Sequence, residues 1–185
     1  MISRGFRIVY LDETMVTKST IPTHEWSDEN HQLQIDYKQY ARSGIAVLAD
    51  VSQERGVDLM MSFEKSVNIE KFKVWLDELR ARHFLDDICL VLDNLRVHHS
   101  NAAVERMDEL GFEYVYTPVY SPDSNPIESV FSQFKGKLKK ERMRAILHGE
   151  RYDLLAGIYR IWGKLERQKI INCIEHCLKF VGIKA

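Results

Sequence analysis

The chain has 185 residues, 45% of them apolar and 29% charged, with a formal net charge of −1. That balance excludes a disordered chain, a collagen and a bare coiled coil, and the length suits one hydrophobic core, so a single domain over residues 1–185 is expected. The longest apolar runs are too short for a bilayer and Met1 to Phe6 lacks a signal-peptide core, so a soluble, intracellular protein with no membrane partner is predicted.

Phe6 to Leu11 is apolar, β-branched and aromatic, which predicts a strand that delivers Asp12 at its carboxyl end. From Met15 to Ser43 the chain turns polar, with Pro22 and scattered Trp26, Tyr37 and Tyr40 but no sustained period. A stretch of that length is usually functional inside a compact domain, so an extended loop that contacts a partner is expected there. Gly44 to Val51 and Val57 to Phe63 read as a hairpin around the polar turn Gln53-Glu54-Arg55-Gly56. Asn68 suits the cap of a helix whose Phe72, Trp75, Leu76 and Leu79 fall at helical spacing.

Ile88 to Leu92 is almost wholly apolar, as in a strand buried on both faces of a parallel arrangement, and it delivers Asp93. Ser100 to Leu110 has a helical pattern stopped by Gly111, and Phe112 to Tyr116 is another short strand. A turn-rich loop from Thr117 to Ser124 precedes a helix opening at Pro126, with Ile127, Phe131, Phe134 and Leu138 on its apolar face. Helices continue to about residue 183, with a break near Gln168. The order predicts an α/β domain with a hairpin in front and strand-helix alternation behind.

The near-zero net charge hides an asymmetry. Residues 132–185 carry 13 Lys or Arg against 5 Asp or Glu, and residues 1–131 the remaining 13 against 22. The bases are densest from Lys135 to Arg144, where Lys135, Lys137, Lys139 and Lys140 are candidate contacts to a polyanion; a solvated helix face explains the same run equally well. Cys89, Cys173 and Cys177 are odd in number, which suits reduced thiols. Cys173, His176 and Cys177 could be drawn as a zinc site, but no fourth ligand is in sight, and a half-buried helix face is the better reading.

Three acids stand in distinctive settings: Asp12 in Val9-Tyr10-Leu11-Asp12-Glu13-Thr14, Asp93 in Leu92-Asp93-Asn94, and Glu128 in Tyr120-Ser121-Pro122-Asp123-Ser124-Asn125-Pro126-Ile127-Glu128. Hard carboxylate oxygens converging from separate elements suit a pair of magnesium ions in phosphoryl transfer, and Asp12 and Asp93 end strands, where ligands of open sheets gather. Each acid also has a plainer reading. Asp12 and Asp93 could be turn formers, and Glu128 could complete a capping box with Asn125 as N-cap and Pro126 at N1.

The three words together, with 34 residues between Asp93 and Glu128 and with His98 five positions after Asp93, resemble closely the Tc1/mariner and IS630-type transposases and their DDE catalytic domain. The resemblance covers about Phe6 to Arg144, with Phe131 where relatives often carry Trp. It implies an RNase H-like fold: a mixed sheet of about five strands flanked by helices, the strands bearing Asp12 and Asp93 adjacent, and a clamp-like loop inserted over about residues 15–43. It implies that Asp12, Asp93 and Glu128 are catalytic and bind two Mg²⁺ or Mn²⁺ ions roughly 3.5–4 Å apart when DNA is present. It further implies cleavage at transposon ends to a 3′-OH, strand transfer to target DNA, and a homodimer in the DNA complex. Asn94 and His98 match the pattern as groups that orient a carboxylate or touch a phosphate, or as structural caps.

The family's helix-turn-helix modules precede the catalytic domain, and this chain begins near the first catalytic strand, so the DNA-reading region is expected to be absent from these residues. Alternatives left open are an RNase H-fold nuclease without strand transfer and a catalytically silent binding domain. The expected location is the nucleus in a eukaryote and otherwise the cytoplasm or nucleoid.

Overall fold

The structure is a computed structural model, described here for residues 5–17, 44–118 and 124–180. Ten elements follow in chain order: β1 (Arg7–Thr17), β2 (Gly44–Ser52), β3 (Gly56–Glu64), α1 (Ile69–Arg82), β4 (Ile88–Leu92), α2 (Asn101–Glu109), β5 (Glu113–Tyr116), α3 (Pro126–Leu147), α4 (Leu154–Trp162) and α5 (Arg167–Phe180). The sheet order is β3-β2-β1-β4-β5. β1, β2 and β3 form an antiparallel meander, while β4 and β5 join parallel to β1. The expected five-stranded mixed sheet, with the strands of Asp12 and Asp93 adjacent, is therefore present.

The period of two along β1 sorts its side chains onto two layers. Val9 and Leu11 join Leu48, Leu90, Leu92 and the α1 residues Phe72, Trp75, Leu76 and Leu79 in one core. Tyr10 and Val16 join Val47, Ala49 and the α3 residues Ile127, Val130, Phe131, Phe134 and Leu138 in the other, with Trp162, Ile170 and Ile174 closing it. Asp12 shares the parity of Tyr10 and so belongs to the α3 face. Asp93, one step past Leu92, falls on that face by the same alternation.

Local signals explain the boundaries. Asn68 caps α1 by accepting from Lys71 N at 3.0 Å, and Ser100 caps α2 by accepting from Ala103 N at 3.3 Å. Gly111 follows α2 with φ of +67°, a conformation that costs a residue with a Cβ more than glycine. The break between α4 and α5 falls at residues 163–166, slightly ahead of the expected Gln168.

One expectation changes. β1 does not stop before Asp12: it runs on to Thr17, through Met15 and Val16, which the sequence had assigned to the irregular segment. The cause is long-range, because β2 pairs with β1 without interruption from Val9↔Ser52 to Thr17↔Gly44. Residues 18–43, where the clamp-like loop is expected, lie outside the described residues.

At the amino-terminal end of β1 and β4 a compensated charge network closes the sheet. His83, 2% exposed, sits between Asp58 at 2.5 Å from Nε2 and Asp86 at 3.0 Å from Nδ1. Arg7 reaches Asp86 at 2.6 Å, and Arg55 stands 3.7 Å from Asp58. Among the described residues no helix is long and apolar enough to cross a membrane.

Candidate active site

The parallel ladder between β1 and β4 ends at Tyr10↔Val91, although β1 continues antiparallel to β2 for seven residues more. A crevice therefore opens beside Leu11 and Asp12 at the carboxyl end of β4, where Asp93 emerges. Asp12 is 5% exposed. Burial pushes its carboxyl up to about 8; the Glu13 N–H, donating at 2.7 Å, pulls the other way, and the charges of Asp93 and Glu128 raise it further. Glu13 faces the opposite layer, where its Oε1 accepts from Val67 N at 3.3 Å.

Glu128 resolves a choice left open by the sequence. Asn125 caps α3 and Pro126 stands at its first position, as the cap signature requires. Glu128 nevertheless lies close enough to Asp12 for its charge to raise the Asp12 carboxyl, and no capping-box bond returns from it to the Asn125 N–H among the described residues.

Asp93 is half-buried, between the buried Asp12 and the exposed Glu128. Its Oδ1 takes His98 Nδ1 at 2.8 Å and Leu95 N at 3.2 Å. His98 is itself 2% exposed, packed on the Phe72 ring at 4.8 Å between centroids, and its carbonyl accepts from Tyr116 Oη at 2.9 Å. The second acid is thus aimed by a buried histidine fixed from α1 and β5. Asn94 does something else: its Nδ2 donates to the Thr117 carbonyl and its Oδ1 meets His99 Nε2 at 3.1 Å, so it ties the loop after β4 to the end of β5.

The acids are gathered but not closed. Among the described residues no set of three or more His, Cys, Asp or Glu side chains forms a metal-ligand cluster. That includes Cys173, His176 and Cys177: Cys177 is buried in the core, His176 is exposed, and Cys173 accepts from Gln133 Nε2 at 3.2 Å. The chemistry of the donor set still fits a hard divalent cation, since three carboxylates face one crevice and no Lys or Arg forms an ion pair with any of them among the described residues.

α3 also sorts the basic run. At 100° per residue, Lys135 and Lys139 fall within about 20° of the Glu128 direction, whereas Lys137 lies opposite and Lys140 about 120° away. Lys137 faces the α4–α5 turn, where its charge helps lower the Glu166 carboxyl after the larger effect of Lys169. Arg142, counted with the basic run, is 3% exposed and donates from Nη1 to the Thr17 carbonyl at 3.1 Å, so it secures the end of β1.

Sequence reasoning saw Asn125 only as a cap. Its Oδ1 does accept from Ile127 N at 3.4 Å, but its Nδ2 also donates to the Leu11 carbonyl at 3.3 Å, with the residue 4% exposed. No local signal could have named the strand carbonyl it reaches.

A mixed sheet in this order, with Asp12 midway along β1, Asp93 just past the end of β4 and Glu128 on a helix packed across that face, is an RNase H-like architecture. A family model described as DDE superfamily endonuclease matches residues 7–146, and the chain belongs to that family. The structure is similar to the catalytic domain of Mos1 mariner transposase, with TM-score 0.61 and 16% identity over 97% of this chain and 84% of that one. It is similar also to the Mos1 chain of a strand transfer complex, with TM-score 0.65 and 16% identity over 97% of this chain and 54% of the other. A Mos1 paired-end complex with the left transposon end gives TM-score 0.58 and 16% identity over 92% and 56%. The chain thus spans about half the length of the Mos1 chains in those complexes, and at such identity the likeness is one of fold. No curated protein sequence matches the chain significantly.

Proposed function

We propose that this chain is the catalytic domain of a Tc1/mariner-type transposase, cleaving phosphodiesters at transposon ends to leave a 3′-OH and joining that end to target DNA. The observation that carries the reading is the buried Asp12 carboxyl, raised by its burial and by the charges of Asp93 and Glu128, with no Lys or Arg among the described residues paired to any of the three acids. Asp12, Asp93 and Glu128 would hold two Mg²⁺ or Mn²⁺ ions, which supply an activated water nucleophile and stabilise the leaving 3′ oxygen. Mos1 complexes with Mn and with Mg support that choice of ions.

The chain's own groups provide position. β1 and α3 bring Asp12 and Glu128 together from opposite sides of the crevice, and His98 holds Asp93 by its Oδ1, leaving the second oxygen for a ligand. Lys135 and Lys139, on the flank of α3 that carries Glu128, meet the phosphate backbone, which makes binding depend steeply on salt. Such contacts position DNA without specifying bases, so binding through them carries little sequence preference. Two such domains act together on paired ends, inside the cell and in the nucleus if the source is eukaryotic.

The test is incubation of end-containing DNA and Mn²⁺ with the protein carrying its DNA-reading modules, beside Asp93→Asn. Nicking and joining by the parent, both lost in the variant, is the expected result. Nicking without joining would leave a nuclease, and equal activity in the variant would remove Asp93 from the chemistry.

A further inference from the structure

Asn125 occupies an unusual place. β4 stops pairing with β1 at Tyr10↔Val91, one residue before Leu11. The Leu11 carbonyl is taken by the Asn125 side-chain amide at 3.3 Å, across 114 residues of sequence. The same side chain, through its oxygen, caps α3 at Ile127 N, and the Asn125 carbonyl accepts from Glu128 N at 3.2 Å. One buried residue thus grips the strand next to Asp12 with one end and the helix turn bearing Glu128 with the other.

Resting on the metal-site reading above, we propose that Asn125 is the positioning residue that sets Glu128 against Asp12, and that its bond to Leu11, over and above its helix cap, fixes that spacing. The reasoning is geometric. A cap alone orders the first turn of a helix but leaves the helix free to slide or tilt over the sheet. A second bond from the same side chain to the backbone one residue before Asp12 removes that freedom where the two acids meet. Leu11 is fully buried, so its carbonyl cannot exchange this partner for bulk water without opening the layer.

Asn125→Ser keeps a capping oxygen and drops the amide donor; Asn125→Asp keeps the cap and places a carboxylate against the Leu11 carbonyl. Both variants should bind Mn²⁺ about tenfold more weakly than the parent, as read from free ion by electron paramagnetic resonance, the scale typical for groups that hold metal ligands in place. In DNA cleavage kcat should fall by a similar factor while KM for DNA stays unchanged, a split that general loosening of the fold would not give. In the unmodified, metal-free protein the Asn125 side-chain amide protons should exchange more slowly by NMR than those of the exposed Asn101, and this measurement stands even if a variant does not fold. Free exchange at Asn125 would overturn the proposal, and so would a folded Asn125→Ser with parental Mn²⁺ affinity and kcat. Asp93→Asn run in parallel separates the two levels. If it too keeps parental Mn²⁺ binding and cleavage, the metal-site reading has failed; if it alone is inactive, only the role of Asn125 has.

Discussion

Two groups of acids lie at opposite ends of one sheet and are balanced in opposite ways. At the amino-terminal end of β1, Asp58 and Asp86 are matched by His83, Arg7 and Arg55 from three other segments. At the carboxyl end of β4, the charges of Asp93 and Glu128 bear on the buried Asp12, and His98 is the only basic side chain paired to the three acids among the described residues. A protein that can bury compensated acids at one end has no structural need for uncompensated ones at the other. Burying Asp12 without an opposite charge costs stability.

The widest separation between the two ends should appear in Asp93→Asn. Metal-dependent cleavage is expected to fall by about 10³-fold or more, roughly 4 kcal/mol in the barrier, with little change in melting temperature. His83→Ala should do the reverse. Leaving Asp58 and Asp86 without the histidine should destabilise the fold by roughly 3 kcal/mol, a melting temperature about 6 °C lower or more, while cleavage by the folded fraction is kept. A folded His83→Ala protein that no longer cuts DNA would break the distinction.

A smaller effect follows from Asp12. The unfolded chain releases this proton near the ordinary value of 3.8 and the metal-free native protein near 8, so between those values the native state carries the extra proton. Stability of the metal-free protein should therefore fall as pH rises through that window, with the whole penalty present above pH 8. Asp12→Asn should flatten the profile and stabilise the metal-free protein at pH 7 by on the order of 2 kcal/mol even after relaxation, while abolishing cleavage. Thermal melts against pH, with and without Mg²⁺, measure this; a rise in stability from pH 4 to 8 without metal would contradict it.

The smallest effect repeats the contrast along α3. Lys135 and Lys139 make no ion pair among the described residues, whereas Lys137 faces Glu166. Lys135→Ala and Lys139→Ala should each reduce the slope of log affinity against log salt by about 1, and Lys137→Ala should leave it unchanged. Equal slopes in all three would remove the assignment of the Glu128 flank to DNA.

Much of this was legible in the sequence, and what was not shares a cause. The apolar run ending at Asp93 marks its own strand because a segment buried on both layers needs no partner to be recognised. Pro126 and Asn125 mark the start of α3 for equally local reasons. The length of β1 could not be read, because Asp12, Glu13 and Thr14 break the apolar run and the pair Met15-Val16 is too short to mark a strand until β2 lies alongside it. Whether Glu128 caps its helix or meets Asp12 depends on a strand more than a hundred residues away. The His83 network draws on β1, β3 and the residues around the end of α1, and no spacing along the chain announces it. The division of the lysines was within reach, since it needs only the helical period and the position of Glu128.

The register of β1 and β2 carries one more consequence. Their ladder closes at Thr17↔Gly44, so the two ends that the 26 intervening residues must join are neighbours about 5 Å apart. The cost of closing a chain between two fixed points grows only with the logarithm of its length, and Arg142 secures the Thr17 edge from inside. This hairpin end is therefore an insertion port: lineages, or an engineer, could lengthen, shorten or replace the connecting segment while Asp12, five residues upstream, keeps its place.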